Sequence, residues 1–193
     1  MTTHGVEGDK GSLRRDLMDA RDALPPTDRA GASVRACSHL LARPGLDDVG
    51  VGDAWALYVA VGSEADPAHL VEAGSALGAR ILLPRVVGTT LELADATSTS
   101  PGFAGISEPT GPVAELDRVR LIVVAGIAFD RQGNRLGRGG GHYDRLLAAL
   151  PASTLRVGLC FSSQVVASLP HAEHDEPVDL LATEDGVITT GAR

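Results

Sequence analysis

Apolar positions near the start of the chain recur at helical spacing. From Lys10 onward, Leu13, Leu17, Ala20 and Leu24 fall at steps of three and four, which is one face of a helix. Pro25-Pro26 ends that helix. Thr27 or Asp28 can cap a second one, with Val34, Cys37 and Leu41 turned inward and Pro44-Gly45 as its stop. The opening therefore reads as a helical hairpin behind a loose tail of residues 1–9. At Asp53 the pattern changes. Trp55 to Val61 is a short apolar run suited to a buried strand. Asp66 and Pro67 suit the cap and first turn of a helix carrying Leu70, Val71 and Leu77. Gly78 closes that helix, and Ile81 to Leu83 forms the next strand. This is a βαβ unit, for which a parallel pair with a right-handed crossover is expected.

Further along, Leu91 to Leu93 suits a short strand, and residues 97–112, rich in proline, glycine and small polar residues, read as a long surface loop. Arg120 to Val124 is the clearest buried strand. A glycine-rich segment, 126–141, follows it, and His142 to Leu150 reads as a helix. Leu155 to Phe161 is another strand, Ser162 to Leu169 a short helix, and Val178 to Ala182 a final strand, with Val187-Ile188 a candidate extra one. Strands alternating with helices predict an α/β fold: an open, mostly parallel sheet flanked by helices, doubly wound and Rossmann-like in three layers, with the helical hairpin at its N-terminus. Residues 10–193 read as a single domain.

Composition narrows the class. The 193 residues carry 17 basic and 25 acidic side chains, a net charge of −8, with 44% hydrophobic and 22% charged residues. Those proportions are ordinary for a globular domain and exclude disorder, collagen and coiled coil as whole-chain descriptions. No apolar run approaches the length of a membrane span, about 18 residues. The acidic balance argues against nucleic acid as a partner. Two distant cysteines, Cys37 and Cys160, form no disulfide framework and suit the core of a protein in a reducing compartment. The polar N-terminus has no apolar signal region. A cytoplasmic protein, monomeric or weakly dimeric, is expected.

Chemistry concentrates in residues 125–144. The segment joins a strand to a helix, where open α/β sheets bind ligands. Gly137, Gly139, Gly140 and Gly141 let backbone amides approach a bulky anion, and the following helix offers its positive dipole end. Arg135 and Arg138 add cationic forks suited to phosphate oxygens. Asp144, on the first turn, can hold a metal ion against the same phosphates or simply complement the helix dipole. A flexible turn is the alternative reading of the glycines. The segment is not a Walker A loop, because no Gly-Lys-Ser/Thr ends it. His171 and His174 are too few ligands for structural zinc. Trp55 and Tyr58 suit strand packing, and Phe103 suits a loop anchor or a face for an aromatic ring.

The run Gly126-x-Ala-Phe-Asp130, Gly133-Asn-Arg-Leu-Gly-Arg-Gly-x-Gly-x-Tyr-Asp144 resembles the signature of the 5-formyltetrahydrofolate cyclo-ligases. The resemblance extends to Lys10-x-x-Leu13-Arg14, Glu64, Leu83-Pro84-Arg85, Gly105-Ile-x-Glu108-Pro109, Gln164, His174-Asp175-x-x-Val178-Asp179 and Glu184. It implies an enzyme that closes 5-formyltetrahydrofolate to 5,10-methenyltetrahydrofolate with ATP and Mg²⁺. It implies that Lys10 and Arg14 contact ATP, with Arg14 also facing the folate, and that Arg135, Leu136, Gly137, Arg138, Gly139, Gly140, Gly141, His142 and Tyr143 form the ATP loop. It further implies that Arg138, His142 and Tyr143 lie near the folate, that Val59 and Glu64 line the substrate pocket, and that Asp144 and Asp175 are the Mg²⁺ ligands. Arg138 and Arg14 are the candidate catalytic cations.

Three departures stand out. His142 occupies a position often held by tyrosine, Gly140 one held in some members by lysine, and Ala125 one frequently held by proline. No general base is singled out. Two other readings use the same residues: an ATP-binding enzyme of this fold acting on another substrate, and a non-catalytic folate- or nucleotide-binding regulator.

Overall fold

The computed structural model describes residues 4–46, 52–102, 105–172 and 175–191, with side chains from residue 11 onward. In chain order the elements are α1 (His4–Asp22), α2 (Pro26–Leu41), β1 (Ala54–Ala56), α3 (Ala68–Ala76), β2 (Arg80–Val87), β3 (Thr90–Asp95), β4 (Thr99–Pro101), β5 (Ser107–Pro109), β6 (Val119–Val124), β7 (Ala128–Asp130), β8 (Arg135–Leu136), α4 (His142–Ala149), β9 (Leu155–Leu159), β10 (Val165–Val166), β11 (Leu180–Thr183) and β12 (Gly186–Thr189). Among the described residues, seven strands form one sheet in the order β12-β11-β9-β6-β1-β2-β3. The five inner strands run parallel. β12 and β3 close the two edges antiparallel.

Both faces of this sheet are covered, which is why its strands read as continuous apolar runs. Successive side chains alternate between two cores. Trp55, Leu121, Val123 and Val157 face α2 and α3, against Ala36, Cys37, Leu40 and Leu70. Ala54, Ala56, Ile122 and Val124 face α4, against Leu146, Leu147 and Leu150. A third, small cluster sets Leu13 and Leu17 of α1 against Ala128, Leu136 and Leu169. The α/β architecture expected from the alternation of elements is the one observed.

The differences are local. α1 begins at His4, ahead of the Lys10 at which the periodicity starts. α2 is opened by Pro25 at the cap and Pro26 in the first turn, with no side-chain cap, so Thr27 and Asp28 lie inside it. Its core face is Ala32, Ser33, Ala36, Cys37 and Leu40, while Val34 is 51% exposed. Asp66 does accept a bond from the Ala68 amide, at 3.0 Å, from one place before the Pro67 cap. The apolar run 55–61 is strand only through Ala56; Leu57 still donates its amide to the Leu82 carbonyl at 2.9 Å, and residues 58–61 continue toward the site. Residues 97–112 are not an unstructured loop, since β4 and β5 pair within them. Residues 162–169 form a single 3-10 turn and β10 rather than a helix.

The glycine-rich segment also holds structure that its composition hides. β7 and β8 form a hairpin, and β10 adds to its other side. Asp130, at the end of β7, is 1% exposed. Its carboxylate accepts from the amides of Gln132 (3.0 Å), Asn134 (3.0 Å) and Leu169 (3.0 Å) and from Asn134 Nδ2 (2.9 Å). Behind it, Phe129 is fully buried. It packs where Gly126 and Gly158 carry no side chain, since a Cβ at either would lie 2.6 Å from its ring. An Asp130→Ala chain leaves the buried Leu169 amide without its acceptor, at about 1–3 kcal/mol, removes three further bonds at about 1 kcal/mol each, and opens a cavity. It should lose at least about 3 kcal/mol in urea unfolding. A loss under 1 kcal/mol would show that the hairpin does not depend on this carboxylate.

Candidate active site

The site lies at the carboxyl ends of the parallel strands, where β1 and β6 stop and their continuations diverge. Four pieces of chain meet there. The first is the continuation of β1. A tight turn at residues 61–64, with Gly62 at φ +65, brings the Glu64 side chain back so that Oε2 accepts from the Val61 amide at 3.0 Å. The second is the glycine loop 137–141 between β8 and α4. Its last residue, Gly141, caps α4 in the left-handed region, φ +61, which favours glycine. The third is the first turn of α4, and the fourth is α1, which crosses behind the loop.

Direct contacts join these pieces. Arg138, on the glycine loop, reaches across to Glu64, Nη2 to Oε1 at 3.0 Å. Arg14, on α1, donates from Nε to the Gly137 carbonyl at 2.9 Å. Arg135 lies under the loop, its side chain 6% exposed. It pairs with Asp144, which is 17% exposed, at 3.0 Å, and its guanidinium sits 5.2 Å over the Tyr143 ring. Arg135 Nε is buried without a hydrogen-bond partner among the described residues. Arg145 donates to the Gly140 carbonyl at 2.9 Å and also to the Thr89 carbonyl at the β2–β3 turn, tying the loop to that hairpin. Gln164 donates from one amide to the carbonyls of Gly126 (2.9 Å) and Ile127 (3.0 Å), holding the exit from β6.

The structure thus brings together Arg14, Glu64, Arg135, Leu136, Gly137, Arg138, Gly139, Gly140, Gly141, His142, Tyr143 and Asp144. Val59 lies on the irregular stretch after β1, partly buried against the core. Asp175 lies on the stretch between β10 and β11, where its Oδ2 accepts from the Ala172 amide at 2.8 Å. The Lys10 side chain, Phe103 and His174 lie outside the described residues. Two of the departures are sterically linked. His142 Nδ1 stands 2.9 Å from where a Cβ at position 140 would lie, so the imidazole occupies the space a longer side chain at 140 would need.

Sequence reasoning missed Arg145, Gln164 as a loop clamp, and the pair Arg21 and Ser63. Arg21 Nε donates to Ser63 Oγ at 2.8 Å, and the Ser63 hydroxyl donates to Asp22 Oδ1. A signal for Arg21 existed: it lies seven residues after Arg14, two turns along the same helix. Two grooves of about 390 and 370 Å³ lie away from this cleft, one beside Val166 and Ile188, the other at the amino ends of β6 and β9. Neither is lined by a residue that the sequence marks as a candidate site residue.

A sequence profile of the 5-formyltetrahydrofolate cyclo-ligase family matches residues 6–184, nearly the whole chain and the whole of this cleft. The chain belongs to that family. A Mycolicibacterium smegmatis 5-formyltetrahydrofolate cyclo-ligase is 31% identical over 178 residues, 86% of this chain and 89% of the relative. The Escherichia coli K12 cyclo-ligase is 29% identical over 181 residues, 89% and 98% of the two chains. The solved structure of Aquifex aeolicus 5,10-methenyltetrahydrofolate synthetase superposes with a TM-score of 0.81 at 33% identity, over 93% of this chain and 92% of that one. As a cyclo-ligase family member the protein is an enzyme, a ligase. No helix among the described residues is long and apolar enough to cross a membrane.

The two tyrosines of this cyclo-ligase, Tyr58 and Tyr143, both border Glu64. Burial pushes both hydroxyls well above the ordinary tyrosine value. The Glu64 charge adds to the rise at each, and at Tyr143 the Arg135 charge opposes it. The unfolded chain therefore releases these protons first as pH rises. Stability is fully present below roughly pH 10 and falls above it. Tyrosinate absorbance should be absent from the folded protein at pH 11 and appear together with unfolding. Ionisation of either tyrosine at pH 10 without loss of structure would contradict this burial.

Proposed function

We propose that this enzyme closes 5-formyltetrahydrofolate to 5,10-methenyltetrahydrofolate, using MgATP and releasing ADP and phosphate. Family membership supports the reading. The observation that carries it is the 3.0 Å contact between Arg138 and Glu64, residues 74 apart in sequence. It sets a glycine loop suited to polyphosphate within one side chain's reach of a carboxylate suited to the N–H edge of a pterin. The proposed setting is a cytoplasmic monomer acting on a small reduced folate.

In this reading the glycine loop amides, the α4 N-terminus, Arg138 and Arg14 receive the triphosphate. The side chain of Lys10 would join them from α1, four residues before Arg14. The formyl oxygen on N5 attacks the γ-phosphorus, the bond to the β–γ bridging oxygen breaks, and ADP leaves. The formyl oxygen is then a phosphate ester, a good leaving group. N10 attacks the formyl carbon, loses its proton and closes the five-membered ring, and phosphate departs with the C–O electron pair. Arg138 and Arg14 offset the charge of the transferring phosphoryl group. Val59 and Glu64 hold the pterin beside the loop, with His142 and Tyr143 across from them.

The residues suit Mg²⁺ brought with ATP rather than an ion held by protein alone. Among the described residues no three His, Cys, Asp or Glu side chains converge as a metal cluster. Asp144 Oδ1 accepts from Arg135 Nη2 at 3.0 Å. One or two carboxylates with phosphate oxygens and water are what Mg²⁺ takes in such sites, and Asp144 and Asp175 are the proposed pair. Bound there, Mg²⁺ would neutralise charge on the phosphate oxygens.

Purified protein mixed with 5-formyltetrahydrofolate and MgATP should show the rising near-ultraviolet absorbance of methenyltetrahydrofolate, dependent on both ATP and Mg²⁺. Arg138→Ala should lower kcat/KM well over tenfold. A flat trace from folded protein that binds MgATP would point to another substrate of the same cleft.

A further inference from the structure

α1 contacts both walls of the cleft through arginines seven residues apart, separated along the helix by roughly 10 Å at 1.5 Å per residue. Arg14 holds the glycine loop by the Gly137 carbonyl. Arg21 holds the opposite wall through Ser63, the residue before Glu64. The Arg21 side chain is only 4% exposed, so a full charge is withdrawn from water. Such a group is retained where it is fully partnered. Its nearest counter-charge, Asp22 Oδ1, lies 4.0 Å from Nε, too far for a hydrogen bond, and the Ser63 hydroxyl bridges the gap. That hydroxyl accepts from Arg21 and donates to Asp22. Both of its roles are therefore taken, and its orientation is fixed.

The fixed serine lies inside the turn that shapes Glu64. The Glu64 amide donates to the Val61 carbonyl at 3.3 Å. The Glu64 side chain folds back on the Val61 amide, presenting Oε1 to the cleft. With Ser63 pinned from below, the turn cannot shift without breaking a buried charged contact. The cost of moving Glu64 is therefore set by a group that faces no ligand.

We infer that Arg21, acting through the Ser63 hydroxyl, is the positioning residue for Glu64, and that the affinity of this site for the folate rests on that buried relay while its affinity for ATP does not. The inference rests on the proposed function only for the identity of the ligand. The held geometry of Glu64 is a property of the chain itself.

Ser63→Ala removes the bridge and keeps the backbone, and Arg21→Lys keeps the charge but loses the Nε contact. Two readouts are needed. In ligand-free protein, hydrogen exchange of the Val61 amide, whose acceptor is Glu64, should quicken at least tenfold in Ser63→Ala, with β6 amides unchanged. In steady-state kinetics, KM for 5-formyltetrahydrofolate should rise at least tenfold in Ser63→Ala and Arg21→Lys. KM for MgATP and kcat should stay within about twofold, and Ser63→Thr should restore the folate KM. Unchanged Val61 exchange in a folded Ser63→Ala protein would overturn the inference, as would an equal rise in both KM values. Faster Val61 exchange in a protein that neither binds nor converts 5-formyltetrahydrofolate would leave the relay standing and refute the proposed substrate instead.

Discussion

Between the end of β6 and the glycine loop the chain turns around one buried carboxylate. Asp130 accepts four hydrogen bonds, three of them from backbone amides, that of Leu169 being buried. Those bonds fix the β7–β8 hairpin, and the hairpin fixes where Arg135 emerges and where residues 137–141 begin. Gln164 does the same for the preceding bend by capping two carbonyls. A loop of four glycines would otherwise sample many conformations, and the entropy of ordering it would fall on ligand binding. Here most of that ordering is built into the fold.

The cleft-facing groups follow from that anchoring. Arg135 is nearly buried, paired with Asp144 and stacked on Tyr143, and so supports the first turn of α4. Arg138, one residue beyond Gly137, is the exposed cation of the loop and reaches across to Glu64. The pair joins an exposed guanidinium, 59% accessible, to a carboxylate that is only 12% accessible. α1 then sets the width of the cleft by gripping both walls, Gly137 through Arg14 and Ser63 through Arg21.

Much of this was legible in the sequence. The alternation of apolar runs with helical spacing predicted the three-layer sheet, because strands covered on both faces carry uninterrupted apolar residues. The glycines and arginines between Val124 and His142 marked the segment that forms one wall of the cleft. What escaped was structure held by single polar contacts between distant residues. The β7–β8 hairpin depends on Asp130, whose acceptor role no local pattern reveals, and the glycines around it hid two strands. The 162–169 segment has helical composition, yet β10 is drawn into pairing with β7. Arg21 and Ser63 lie 42 positions apart, so only the fold could show that they meet.

In the proposed function one cleft holds ATP through the amides of residues 137–141 and through Arg138. The most direct measurement is an amide NMR titration of the labelled protein with a non-hydrolysable MgATP analogue. The glycine amides at 137, 139, 140 and 141 should shift first and furthest, with those of Val61 and Glu64 following as Arg138 leaves its partner. Shifts centred on Val166 and Ile188, in the groove beside β12, with the glycine loop unmoved, would contradict it.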